Sequence, residues 1–139
     1  MWSKTYSKKV TGVQAENVWK VWTDINQWHM WQPDIEYAKL DGDSKVGNTF
    51  KFKPKSGPTV SIELIEVDPG RQFTDLTRFP GARMYGSHEF IPHGDVLEIR
   101  TTMSIEGFLS FLWKKIVAED VANGMESQTE ALIERARKL

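Results

Sequence analysis

Between Ile35 and Ile105 apolar and polar residues alternate with period two, the pattern of strands that bury one face. The alternation is interrupted at Asp41-Gly42-Asp43, Pro54 to Pro58, Asp68-Pro69-Gly70, Pro80-Gly81 and His93-Gly94. These turn signals predict six strands in an antiparallel meander. Pairing across Pro80-Gly81 sets Phe79 opposite Ala82, Thr77 opposite Met84, Asp75 opposite Gly86 and Phe73 opposite His88. Pairing across His93-Gly94 sets Phe90 opposite Leu97, His88 opposite Ile99, Gly86 opposite Thr101 and Met84 opposite Met103. Both registers collect the same residues on one oily face, which Leu64, Ile62, Val60, Phe50 and Phe52 extend. The opposite face takes Lys51, Lys53, Glu63, Arg78, Arg83, Tyr85, Glu98 and Arg100 and is wet.

On either side of the meander the pattern changes. Trp2 to Val13 reads as a strand, and Ala15, Val18, Trp19 and Trp22 fall at helical spacing. A second short helix from Asp24 is stopped by Pro33, because proline disfavours the helical region for the residue before it. Phe108 to Leu139 contains no proline and is rich in Ala, Glu, Lys, Leu and Arg, which predicts a long helix. Its apolar stripe is read through Phe111, Ala118, Val121, Met125, Leu132, Ala136 and Leu139, with Gly124 marking a bend or a close approach. That stripe is expected to cover the oily face of the sheet.

The chain has 139 residues, the size of one domain, and residues 1–139 are read as a single unit without repeats or linkers. Eighteen Lys and Arg against nineteen Asp and Glu leave a net charge of −1, which speaks against nucleic-acid binding. Without cysteine there is no disulfide, thiolate metal site or thiol nucleophile. His29, His88 and His93 lie far apart in the plan, so no metal is expected, and no cofactor motif is present. The absence of a signal-like or membrane-spanning run predicts a cytoplasmic protein. Lys114 and Lys115 follow the apolar run Phe108 to Trp113, but two charges supply only ~1 kcal/mol apiece near anionic lipid, too little for stable membrane anchoring.

Four polar residues fall on the oily face: Asp75, Thr77, His88 and Thr101. Leaving them unpaired in a core would cost about 1–3 kcal/mol each, so they need partners. Asp75 lies diagonally from His88 across neighbouring strands, within side-chain reach. A carboxylate there would hold one ring nitrogen and leave the other facing the interior as a general base or ligand anchor. The same two residues would serve equally as a satisfied core pair. Six Trp and seven Phe are a large aromatic load for this length, suited either to core packing or to gripping an apolar ligand.

The element order β-α-α-β6-α is that of an α+β helix-grip fold, a curved antiparallel sheet wrapped around a long C-terminal helix. Particular residues carry a family likeness: Val18-Trp19, then Trp22-Thr23-Asp24-Ile25, Trp28, Trp31, Pro33 and Ile35. Gly47, the run Val67-Asp68-Pro69-Gly70-Arg71-Gln72-Phe73, and His88-Glu89-Phe90 with Gly107 complete it. Over essentially the whole chain this resembles the START-like (SRPBCC) superfamily, in its polyketide cyclase/dehydrase and lipid-transport branch. The resemblance implies a cavity between sheet and helix that binds a hydrophobic small molecule, a lipid or polyketide-like compound. Expected lining residues are Phe50, Phe52, Ile62, Met84, His88, Phe90, Ile99, Met103, Val121 and Met125, with three flexible methionines among them. Two alternatives stand beside binding: a cyclase or dehydratase using His88 and Asp75, and a module that docks a protein partner. A homodimer is compatible with each.

Overall fold

In a computed structural model describing residues 1–139, the alternating stretch forms six strands. They are β2 (Ile35–Leu40), β3 (Thr49–Pro54), β4 (Val60–Asp68), β5 (Gln72–Phe79), β6 (Ala82–His93) and β7 (Val96–Glu106). β1 (Trp2–Thr11) pairs with β7, giving one antiparallel seven-stranded sheet in the order β1-β7-β6-β5-β4-β3-β2. The β5–β6 register is the expected one, with Thr77 opposite Met84 and Asp75 opposite Gly86. The β6–β7 register differs from expectation by two residues: Phe90 faces Ile99, His88 faces Thr101, Gly86 faces Met103 and Met84 faces Ile105. The hairpin closes between His93 and Val96, so its two-residue turn is Gly94-Asp95 rather than His93-Gly94. A slip of two keeps every side chain on its face, which is why the oily and wet assignments survive it. A bulge between Leu64 and Glu66 changes the parity of β4, and both Leu64 and Val67 pack on the core.

The cover is helical. α1 (Ala15–Thr23) is followed by a 3₁₀ helix, Ile25–Met30, where a second short helix is expected. There Trp28 and Trp31 are buried, and Trp28 Nε1 donates to the Trp22 carbonyl at 2.9 Å. The C-terminal segment is long and mostly helical but not uniform: α2 (Ser110–Trp113), a π-helical stretch Lys114–Ala118, α3 (Glu119–Asn123), a break at Gly124, and α4 (Met125–Arg137). α4 packs on α1 and is tied to β1 by the Lys8–Glu130 ion pair and by Arg137 Nη2 donating to the Thr11 carbonyl at 3.2 Å.

The buried seam of this segment runs through Ala118, Ala122, Met125, Thr129, Leu132, Ile133 and Ala136. Three residues of the expected stripe therefore face outward: Phe111, Val121 and Leu139 are 66%, 41% and 63% exposed. The correction is one of phase. Steps of four, three, four and three from Ala118 to Leu132 hold one face, and Ala122 rather than Val121 occupies it. Phe108, Phe111, Leu112 and Ile116 form an exposed apolar ridge beside Lys114 and Lys115, so this helix start faces solvent. No helix is long and apolar enough to cross a membrane.

The wet face holds one buried carboxylate, Glu98. Its Oε2 accepts from Ser7 Oγ at 2.5 Å and from Arg100 Nη2 at 2.9 Å, and its Oε1 lies 2.9 Å from His93 Nε2. The Ser7 hydroxyl first, then His93 and Arg100, hold its pKa down at about 2 against an ordinary 4.5. Because the folded value is depressed, the stabilisation is present above pH 4.5 and disappears as pH falls toward 2. Thermal unfolding followed from pH 5 to pH 2 is expected to show a shallower loss of Tm for Glu98→Gln than for the wild type. The serine bonds the carboxylate and not the imidazole, so this cluster is not arranged as a nucleophilic triad.

Candidate functional site

Asp75 projects from β5 over Gly86, the residue directly opposite on β6. A Cβ built at Gly86 would lie 2.8 Å from Asp75 Oδ1, so the missing side chain is what makes room for the carboxylate. Asp75 Oδ2 then stands 3.4 Å from His88 Nε2, an ion-pair distance that is long for a hydrogen bond. The diagonal pairing read from the sequence is thus brought together in the fold. The imidazole stacks on Phe73, with centroids 4.5 Å apart, and tilts against Trp22 at 4.6 Å. His88 is buried, whereas the Asp75 side chain keeps 17% of its surface in water.

The pair belongs to a larger arrangement. Interior apolar residues fall into two separate clusters, one around Trp22, Phe50, Phe73, Phe90, Ile99 and Leu132, the other around Met84, Met103, Ile105, Ala122 and Met125. Along each element that crosses both, polar residues sit at the divide. On β5 Asp75 and Thr77 lie between Phe73 and Phe79, and on β6 Gly86 and His88 lie between Met84 and Phe90. On β7 Thr101 lies between Ile99 and Met103, and on α4 Thr129 lies between Met125 and Leu132. The two-residue register change completes this belt by setting His88 beside Thr101.

The belt is incompletely paired. Thr129 Oγ1 donates to the Met125 carbonyl at 2.8 Å, and Gln128 Nε2 donates to Gln32 Oε1 at 3.0 Å. Three buried nitrogens nevertheless have no hydrogen-bond partner in the protein: His88 Nδ1, Trp22 Nε1 and Gln32 Nε2. Trp22 and His88 are in ring contact, Trp22 also meets Trp31 at 5.3 Å, and Gln32 is the next residue along the chain. Unmade bonds of this kind cost about 1–3 kcal/mol each. Trp22 and Thr129 lie on apolar seams whose spacing the sequence shows, but the contact of Trp22 with His88 and the place of Thr129 at the divide depend on tertiary packing. Gln32, beside Pro33 in a turn, carries no sequence signal for burial.

Of the expected lining residues, Phe50, Ile62, Met84, His88, Phe90, Ile99, Met103 and Met125 are buried, and Phe52 is partly buried against the first cluster. Val121 points to solvent and leaves the set. The remaining apolar residues divide between the two clusters, and His88 lies at the divide. A narrow cavity of about 10 Å³, lined by Trp19, Trp22, Ile25, Leu64, Val67 and Phe73, would hold a single water at most. A polar surface cleft of about 350 Å³ lies between the end of α1 and the turns near Gly42 and Pro69. Neither concavity touches any of the expected lining residues. No group of three or more histidine or acidic side chains is placed to hold a metal ion.

Comparison with known proteins agrees with this architecture. The family model for polyketide cyclase / dehydrase and lipid transport matches residues 1–138. No curated protein matches the chain. Among solved structures, a hypothetical protein from Helicobacter pylori superposes with a TM-score of 0.78 at 16% identity, covering 97% of this chain and 88% of that one. Norcoclaurine synthase from Thalictrum flavum, in complex with dopamine and hydroxybenzaldehyde, gives 0.71 at 16% identity, covering 96% and 86%. A START superfamily protein from Mycobacterium smegmatis gives 0.72 at 13% identity, covering 96% and 97%. At these identities the likeness is one of fold.

Proposed function

The chain belongs to the polyketide cyclase / dehydrase and lipid transport family, and from that premise we propose that it binds a hydrophobic small molecule, lipid or polyketide-like, between the sheet and the C-terminal helix. The observation that carries this reading is the polar belt with its three unpartnered nitrogens. A core built for stability alone pairs such groups or replaces them with apolar ones, whereas a ligand site keeps a few polar atoms in an apolar surround. Neither of the two concavities reaches His88, so on this reading a guest enters by displacement of the cover. The segment suited to this is residues 108–124, where a π-helical stretch and the break at Gly124 interrupt regular helix bonding.

Ligand binding to the folded state raises stability by mass action, about 2.7 kcal/mol at a hundredfold excess over Kd. A thermal-shift panel of fatty acids, alcohols and fused aromatic compounds is expected to include members that raise Tm, and native mass spectrometry of freshly purified protein to show an adduct. A flat Tm across the panel and an adduct-free spectrum would remove the binding reading.

The Asp75–His88 contact supports a second reading as an enzyme of cyclisation or dehydration. With Nε2 directed to the carboxylate, Nδ1 is the atom left to take a proton from a bound substrate and return it. His88→Asn that still binds but no longer turns over a substrate would establish this role, and unchanged turnover would exclude His88 from it.

A further inference from the structure

We infer that the interior site selects ligands carrying a free hydroxyl, alcoholic or phenolic, and that Trp22, Gln32 and His88 read it. The inference rests on the binding reading and names the polar chemistry of the same site. It begins from the hydrogen-bond inventory of the three unpartnered atoms, each on a residue more than nine-tenths buried. The indole Nε1 of Trp22 and the amide Nε2 of Gln32 can only donate. His88 Nε2 faces the Asp75 carboxylate, an acceptor, and so carries the imidazole proton, which leaves Nδ1 as an acceptor.

The interior therefore offers two donors and one acceptor. A hydroxyl group is their complement, accepting twice and donating once. An ether or ester oxygen accepts but brings no proton to Nδ1, and a hydrocarbon leaves all three atoms unpaired. Gln32 is held for this task from its other end, because its Oε1 is already occupied by Gln128 of α4 and its Nε2 is not. His88 is likewise fixed between the Phe73 and Trp22 rings and the Asp75 carboxylate. The belt position explains the amphiphilic character of the guest: apolar clusters lie on both sides of it, so the hydroxyl sits in the middle of an otherwise oily enclosure.

The test compares 2-naphthol with 2-methoxynaphthalene, which differ by replacement of the O–H proton with a methyl group, using calorimetric titration of the intact chain. Decan-1-ol tests the alcoholic source of the same group, and 2-naphthoic acid, ionised at neutral pH and without a proton for Nδ1, is expected to bind no better than the ether. The expected result is that 2-naphthol binds about tenfold or more tightly than its methyl ether, because the ether strands a buried acceptor. Trp22→Phe, which keeps a ring and removes the N–H, is expected to weaken binding of both ligands, since both oxygens accept, and to leave 2-naphthol the tighter of the two. Equal affinity of naphthol and ether in the wild type overturns the inference while leaving the binding reading intact; an ordered water serving the three nitrogens in place of a ligand would give this outcome. Binding of neither compound, nor of the acid or the alcohol, overturns both. The wild-type comparison decides the matter even if Trp22→Phe fails to fold.

Discussion

Gly107→Ala is expected to lower the unfolding free energy by about 3 kcal/mol or more, combining backbone strain with overpacking. Gly107 has φ +117°, in the region that side chains other than glycine rarely adopt. A Cβ there would lie 2.4 Å from the Gly81 carbonyl oxygen and 2.8 Å from the Ala82 Cα, and both are backbone atoms that cannot swing aside. The contact is the corner at which the chain leaves β7 for the helical cover. Leu109 N donates to the same Gly81 carbonyl at 2.9 Å, and Trp113 Nε1 donates to the Pro80 carbonyl at 2.8 Å while its ring stacks on Phe79 at 4.5 Å. The β5–β6 turn is thus the seat on which residues 107–113 rest, and through it the second apolar cluster keeps its lid. Gly70→Ala is the control, because Gly70 has φ +79° with nothing within 4 Å of a built Cβ. It carries the backbone penalty alone, about 1–2 kcal/mol. Urea unfolding of both variants separates the two terms. A Gly107→Ala loss no larger than that of Gly70→Ala would show that the corner is loosely seated.

The sheet was legible because its information is local and periodic. Turn signals and alternation place Asp75, Thr77, His88 and Thr101 on the inner face without reference to any other part of the chain. The same rules left the β6–β7 register two residues off, since His93-Gly94 and Gly94-Asp95 are both acceptable turns and both preserve the face. The phase of the C-terminal segment was not legible. Val121 and Ala122 are both apolar, and the choice between them is made by the π-helical stretch and the break at Gly124, which depend on how the segment meets the sheet. The pairing of Asp75 with His88 was readable from the strand register, but the three unpartnered nitrogens were not. Whether Trp22 Nε1 or Gln32 Nε2 finds a partner depends on neighbours distant in sequence, and composition carries no trace of it.

Leu132→Ala is expected to cost about 2–5 kcal/mol, the range for truncating a fully buried leucine. Val121→Ala is expected to stay within about 0.5 kcal/mol, as for other solvent-facing changes. The two leucine-sized and valine-sized positions were assigned to one stripe by spacing alone, yet Leu132 is 0% exposed and Val121 is 41% exposed. Chemical denaturation of both variants therefore checks the phase of the cover directly, and similar losses at the two sites would return Val121 to the interior. Leu132 also bears on the site, because it belongs to the apolar cluster on one side of Thr129, the belt residue of α4. Removing its side chain leaves a void lined by apolar groups, and such voids stay dry and accept small apolar guests. Benzene or indole is accordingly expected to restore part of the lost Tm in Leu132→Ala and to leave Val121→Ala unchanged. That recovery would show that the space beside the belt admits a guest from solution, which is the step the binding reading demands of any natural ligand.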